Sequence, residues 1–234
     1  MAGAGEAGDL DRLVRRVDPD RWLASRFIGD VAARADVIAL YAFDYELERA
    51  RKAASNALVA EMRLAWWSEV LDEIFDGRPV RKHPTAQALA LARNRHSLPR
   101  SDLEAMIDGR AEVLDEATLA APAAIRWADL TAGSAARLCA IILDANAPPE
   151  AAAPAGRALG LAFLGRDGRA GLDVVGAALR EALAQARRSA RLLSVEAFPA
   201  ALAARLARFD LKGAAPPLWR KQLSLLAASV SGQL

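Results

Sequence analysis

A chain of 234 residues is long enough to bury one substantial core, and 53% hydrophobic with 26% charged residues places it among folded globular proteins. Its 31 basic residues nearly balance 29 acidic ones, for a net charge of +2, so nucleic-acid binding gets no support. Cys139 stands alone, which excludes an internal disulfide framework or a cysteine metal site and fits a reducing cytoplasm.

The opening MAGAGEAGDLDRLVRR has no apolar segment and carries Glu6, Asp9 and Asp11, so neither a secretory nor an organellar leader is expected. Residues 1–9 read as a disordered start to a single domain spanning 1–234. From Asp30 to Lys52, the positions Val31, Ala35, Ile38, Tyr41, Ala42 and Tyr45 recur at three- and four-residue steps, which predicts an amphipathic helix. Ser55 is placed to cap a second helix ending near Asp76, before Gly77 and Pro79. In it Val59, Met62, Trp66, Val70 and Ile74 form one stripe and Leu64, Trp67, Leu71 and Phe75 another, which predicts burial on more than one side. Further helices are expected from His83-Pro84 to His96, and from a Ser101/Glu104 capping box to Ala117. Others follow over 127–144, 155–164, 172–193 and 198–209, with a last one after Pro216-Pro217. The first two of these predicted helices, with 126–144 and 155–164, are expected to surround a central space. No run alternates as a strand and no apolar run is long enough to span a bilayer, so any membrane contact is expected to be peripheral, at the inner face. The basic clusters at Arg12–Arg16 and Arg187–Arg191 read as solvated helix faces in preference to an anionic-membrane patch.

Several stretches taken in order resemble the squalene/phytoene synthase family. They are DRWLASRF at 20–27, LYAF at 40–43, MRLAWWSEVLDEIFDGRPVRKHPTAQAL at 62–89, LPRSDLEAMIDGRAEVLD at 98–115, LTAGSAARL at 130–138 and PLWRKQLSLL at 217–226. The resemblance implies an all-α, isoprenoid-synthase-like helical bundle around a central cavity. Enzymes of the family join prenyl diphosphates head to head, with magnesium held by two acidic motifs to neutralise the departing diphosphate.

Where that family's first Asp-Asp-x-x-Asp motif follows LYAF, this chain carries Glu48, Arg49 and Lys52. Asp44, four residues earlier, shares a helix face with Glu48, and both are expected to pair with Arg51, Lys52 or other helical neighbours. The second motif is reduced to RALGLAFLGRDGRAGLDVVGAAL at 157–179, leaving Arg166, Asp167 and Asp173 among glycines, where Asp167 reads as part of a tight exposed turn. No catalytic residue and no metal site is therefore expected. Weak candidates are Asp44, Glu48 and Asp167, with Tyr41, Tyr45, Arg63 and Arg137 as cavity or diphosphate contacts.

Other chemistry has less support. His83 and His96 lack a third ligand at zinc spacing, Ser134 lacks a nucleophile-elbow pattern, and Gly165, Gly168 and Gly171 follow no strand. Trp66 and Trp67 read as core residues.

Within the family, the chain resembles the branch of respiratory complex I assembly factors more than the synthases. That implies a non-catalytic protein holding an isoprenoid or lipid-like ligand, or a protein partner at a membrane complex, with no cofactor. The alternative is an active prenyltransferase using magnesium, for which the acids must face one another across a cavity. A third reading is a structural subunit whose cavity is filled by its own side chains.

Overall fold

The computed structural model describes residues 3–52, 56–213 and 216–234. Among them every regular element is helical. Helix α1 (Gly3–Val17) occupies most of the segment whose composition predicted disorder, and α2 (Pro19–Ser25) follows at once. Asp18 links the two, its side chain accepting from the Arg21 backbone N–H at 3.0 Å while Pro19 starts the helix without needing a donor. Helix α3 (Val31–Lys52) runs through the middle, burying Val37, Leu40, Phe43 and Leu47 completely. Helix α4 (Ala57–Phe75) is capped by Asn56, which accepts from Val59 N–H at 3.0 Å; Ser55, the expected cap, lies outside the described residues.

The α4 stripes correct the sequence reading. Leu64, Trp67, Leu71, Val70 and Ile74 are buried, whereas Met62 is 65% exposed and Trp66 is half-buried. One face is covered rather than two, with Trp67 at its centre against the Phe43 edge, ring centroids 5.3 Å apart. Met62 and Trp66 sit on the outer shoulder, because α3 and α6 pack on the same side of α4.

Helix α5 (Pro84–Arg95) ends close to expectation. Helix α6 (Arg100–Ala111) does not use the capping box: Ser101 lies inside its first turn, and Glu104 accepts from Arg100 Nε at 2.7 Å instead. Helix α7 (Ala121–Ala128) starts well before Trp127, because Pro122 fits the first turn of a helix rather than preceding it. It continues through a π-helical turn at Asp129–Gly133 into α8 (Ser134–Leu143). Helices α9 (Ala153–Arg166) and α10 (Leu172–Ser189) pack closely as a pair. The single helix expected over 198–209 is two short pieces, α11 (Pro199–Leu202) and α12 (Ala204–Ala207), before α13 (Leu218–Ser231).

Two apolar cores result. One gathers α1, α3, α4, α5, α6 and α8; the other gathers α7, α9, α10 and the helices after it. Each fully buried Leu or Phe contributes about 1.5–3 kcal/mol, so both halves are held mainly by aliphatic packing. Close approach depends on Gly156: a Cβ there would stand 2.6 Å from the Ala132 carbonyl carbon and 2.7 Å from Gly133 Cα. Only a hydrogen fits where α9 crosses the π-turn.

Candidate functional site

A cavity of ≈ 390 Å³ lies where the two cores meet. Its walls come from α3 (Asp44, Tyr45, Glu48), α6 (Arg110), the α7–π-turn segment (Trp127, Thr131) and α9 (Leu159, Phe163), with the α1–α2 junction at the rim. Helix α4 does not line it, contrary to the expected ring of helices; α6 takes that place, because α4 packs outside α6 and α3. The cavity also shows that the chain's own side chains do not fill the space. Phe163 stacks on Trp127 with ring centroids 5.9 Å apart, and cations flank both rings, Lys52 Nζ 5.1 Å from the Phe163 centroid and the Arg110 guanidinium carbon 5.8 Å from that of Trp127.

Asp44 is buried, and its partners are not helical neighbours. Arg21 Nη2 donates to it at 2.5 Å and Arg110 Nη2 at 2.7 Å, from two other helices. Burial alone would raise this carboxyl, but the two guanidiniums outweigh it and hold the pKa at about 2. Arg21 is raised in turn despite burial, through Asp18 and Asp44.

Glu48, also buried, follows the expected pattern in part. Arg51 Nη2 donates to its Oε1 at 2.6 Å, and Lys52 lies 3.9 Å away. Its Oε2 has no hydrogen-bond partner within the protein, the nearest cation being Arg110 Nε at 3.5 Å.

Asp167 is the main correction. It follows α9 immediately, before the left-handed Gly168, and so does stand at a tight turn. Its carboxylate, however, is only 18% exposed and faces α3, where it accepts from Arg51 Nη2 at 3.2 Å and pairs with Lys52. Arg51 thus bridges Glu48 and Asp167. The three acids do converge on one cavity, as an enzyme would need, yet each already holds a protein cation. Among the described residues no group of three His, Cys, Asp or Glu side chains is arranged to hold a metal ion. Magnesium does not fit this donor set: it takes oxygen ligands in near-octahedral geometry, and apart from Glu48 Oε2 every carboxylate oxygen of Asp44, Glu48 and Asp167 already accepts from a guanidinium or ammonium group.

The remaining candidates separate. Tyr45 lines the cavity. Tyr41 lies buried beneath Arg21, whose guanidinium carbon is 4.7 Å from its ring centroid, and its hydroxyl meets Cys139 Sγ at 3.6 Å. Arg63 is exposed and borders a different groove with Trp66 and His83, while Arg49 pairs with Glu46 at 3.3 Å on that side. Arg137 reaches Asp102 at 2.6 Å and Ser134 Oγ at 2.8 Å, away from the cavity. Both arginines were expected at the cavity; the helical phase of α4 and α8 turns them elsewhere.

Sequence reasoning missed Arg21, Arg110 and Trp127. Arg110 and Trp127 are buried, and Trp127 Nε1–H has no partner within the protein. Arg21 and Arg110 stand in the RW and GR pairs of the resembling segments, but nothing local marks an arginine as buried.

A protein-family model described as squalene/phytoene synthase matches residues 14–164. It ends at Leu164, short of Asp167. The complex I assembly factor 6 of Bos taurus (NADH dehydrogenase (ubiquinone) complex I, assembly factor 6) is 31% identical over 119 residues, 49% of this chain and 35% of that protein. Its Homo sapiens counterpart is 30% identical over 104 residues, 44% of this chain and 31% of that protein. The chain therefore matches about a third of the length of these curated relatives. A crystal structure of a dehydrosqualene synthase in complex with ligand superposes with a TM-score of 0.71 at 16% identity, covering 97% of this chain and 96% of that one. The all-α isoprenoid-synthase fold is thereby shown.

Proposed function

The chain belongs to the squalene/phytoene synthase family, and we propose that it acts there as a non-catalytic binding protein with a role in assembling a respiratory complex. The observation that carries this reading is the internal neutralisation of the acids. Arg51 and Lys52 occupy Glu48 and Asp167, and Arg21 with Arg110 occupies Asp44, so no free carboxylate pair remains to hold magnesium. Loss of a diphosphate needs that charge neutralised, and protein cations already committed to acids supply little of it.

The cavity suits an amphiphile of isoprenoid or lipid type instead. Leu159 and the Phe163 ring supply apolar wall for the chain of such a ligand. The similarity to complex I assembly factors supports a protein partner at a membrane complex, and with it a cytoplasmic protein placed peripherally at the inner face. Among the described residues no helix is long and apolar enough to cross a membrane.

A second reading is favoured by one observation, the convergence of Asp44, Glu48 and Asp167 on one cavity: a prenyltransferase with a reduced acidic set. Incubating the protein with farnesyl or geranylgeranyl diphosphate and magnesium separates the two. The binding reading expects no diphosphate release; release that Glu48→Gln abolishes without unfolding the protein would replace it with the transferase.

A further inference from the structure

Helix α13 is amphipathic in an unusual sense: its outward face is the apolar one. Ser224, Leu225 and Ala228 are buried, while Trp219, Leu223, Leu226 and Val230 are 55%, 57%, 50% and 81% exposed. The four follow one another at i, i+4, i+7 and i+11, a single stripe opposite the buried face. No acidic residue interrupts the helix. A continuous exposed stripe of this kind marks a contact surface, unlike scattered exposed leucines.

Beside it lies a cluster of arginines. Arg208 Nη2 donates to Ser224 Oγ at 3.0 Å and Arg205 Nε at 3.4 Å, tying the cluster to the flank of α13 that also carries Arg220. A groove of ≈ 580 Å³ between α10 and the 208–211 turn is lined by Arg180, Arg187 and Arg208 together with Leu183, Phe209 and Leu211. Among the described residues none of these arginines forms an ion pair; Glu181 on α10 accepts from Gln185 instead. Burial, then neighbouring arginines, hold Arg205 and Arg208 below their usual values, the mark of positive charge gathered without a counter-ion. The sequence reads Arg187–Arg191 as a solvated face in preference to an anionic-membrane patch; the fold brings Arg187 into one groove with Arg208 and within electrostatic reach of Arg205.

We propose that α13 and the adjoining arginine groove form an interfacial docking surface for anionic phospholipid bilayers. Trp219, Leu223, Leu226 and Val230 enter the acyl boundary, and Arg187, Arg208 and Arg220 meet lipid phosphates. Aliphatic and indole side chains flanked by guanidiniums, on a helix too polar to span, are what an interfacial helix requires. A bilayer is favoured over an acidic protein by what lies behind the helix. Lys221, on its inner side, pairs with Asp20 at 2.6 Å, and both residues line the rim of the central cavity. Seating α13 on lipid sets that rim beside the source of an apolar ligand. The inference rests on the peripheral location proposed above and assigns it a surface.

The test is co-sedimentation of the full chain with vesicles of phosphatidylcholine alone and of equimolar phosphatidylcholine and phosphatidylglycerol. Binding is expected only to the anionic vesicles, weakening with salt. Leu226→Glu should abolish it with the circular dichroism spectrum unchanged. Arg187→Gln, at an exposed position, should weaken it about five-fold, the effect of one basic residue near an anionic surface. Undiminished binding by Leu226→Glu would leave the peripheral location standing and overturn this surface. A wild type that binds neither vesicle would overturn both, and a dimer that Leu226→Glu dissolves without lipid would make the stripe an interface between copies. The diphosphate-release assay bears on the non-catalytic reading independently.

Discussion

At the scale of single residues, Asp44 is the charge on which the site depends. It sits between Arg21 and Arg110, and removing it leaves two guanidiniums buried without their shared counter-charge. Asp44→Asn is expected to destabilise by about 3–5 kcal/mol, a cost of the size seen when one partner of a buried pair is lost. Glu48→Gln, whose main partner is the adjacent Arg51, should lose about 1–3 kcal/mol, and urea unfolding of the two variants tests the order. The same geometry predicts a pH dependence. With its pKa held at about 2 in the fold against 3.8 unfolded, Asp44 contributes stability that is fully present above pH ~4. As pH falls through about 2 that contribution, on the order of 2 kcal/mol, is lost. In Asp44→Asn the acid limb of the stability curve should flatten. A second residue-scale prediction concerns the tryptophan pair: Trp67→Ala should cost about 3–5 kcal/mol, and Trp66→Ala, at the half-buried shoulder, about 1–2. Equal costs would show that the second stripe of α4 is covered after all.

Among the elements, the crossing of α9 over the π-turn shapes the cavity. A π-turn widens the helix locally and reorients Thr131 and Ala132 toward the cavity, a placement often found at functional sites. Gly156→Ala would drive a methyl into the Ala132 backbone, which cannot move aside as a side chain tip does. The expected cost is about 1–3 kcal/mol from forced separation of the helices. Gly8→Ala, where a Cβ meets nothing within 4 Å, serves as the control and should be neutral or slightly stabilising. A Gly156→Ala melting temperature equal to that of the control would mean that α9 and the π-turn are less closely packed than described.

For the molecule as a whole, the protein cations make a prediction about metal. Millimolar magnesium should leave the melting temperature of the wild type unchanged, because a ligand stabilises only by binding the folded state preferentially. In the double variant Arg51→Ala/Lys52→Asp the bridge between Glu48 and Asp167 is gone and a further carboxylate stands beside them. A magnesium-dependent rise in melting temperature is expected in that variant. A rise already present in the wild type would contradict the occupied-acid account.

Read alone, the sequence determined the helical class, the order of the major helices and the erosion of the first acidic motif. Periodicity, proline placement and the chemistry of Glu48, Arg49 and Lys52 are local properties, legible along the chain. It did not show that Arg63 and Arg137 point away from the cavity, that Met62 is exposed, or that α6 rather than α4 walls the central space. Those depend on the rotation of each helix about its axis, which packing against neighbours decides. Nor did it show that Asp167 meets Arg51 and Lys52, or that Arg21 and Arg110 close on Asp44 from two other helices. Charge compensation between residues far apart in sequence has no local signature. It exists only once the two cores meet, and that meeting made the acids converge and at the same time occupied them.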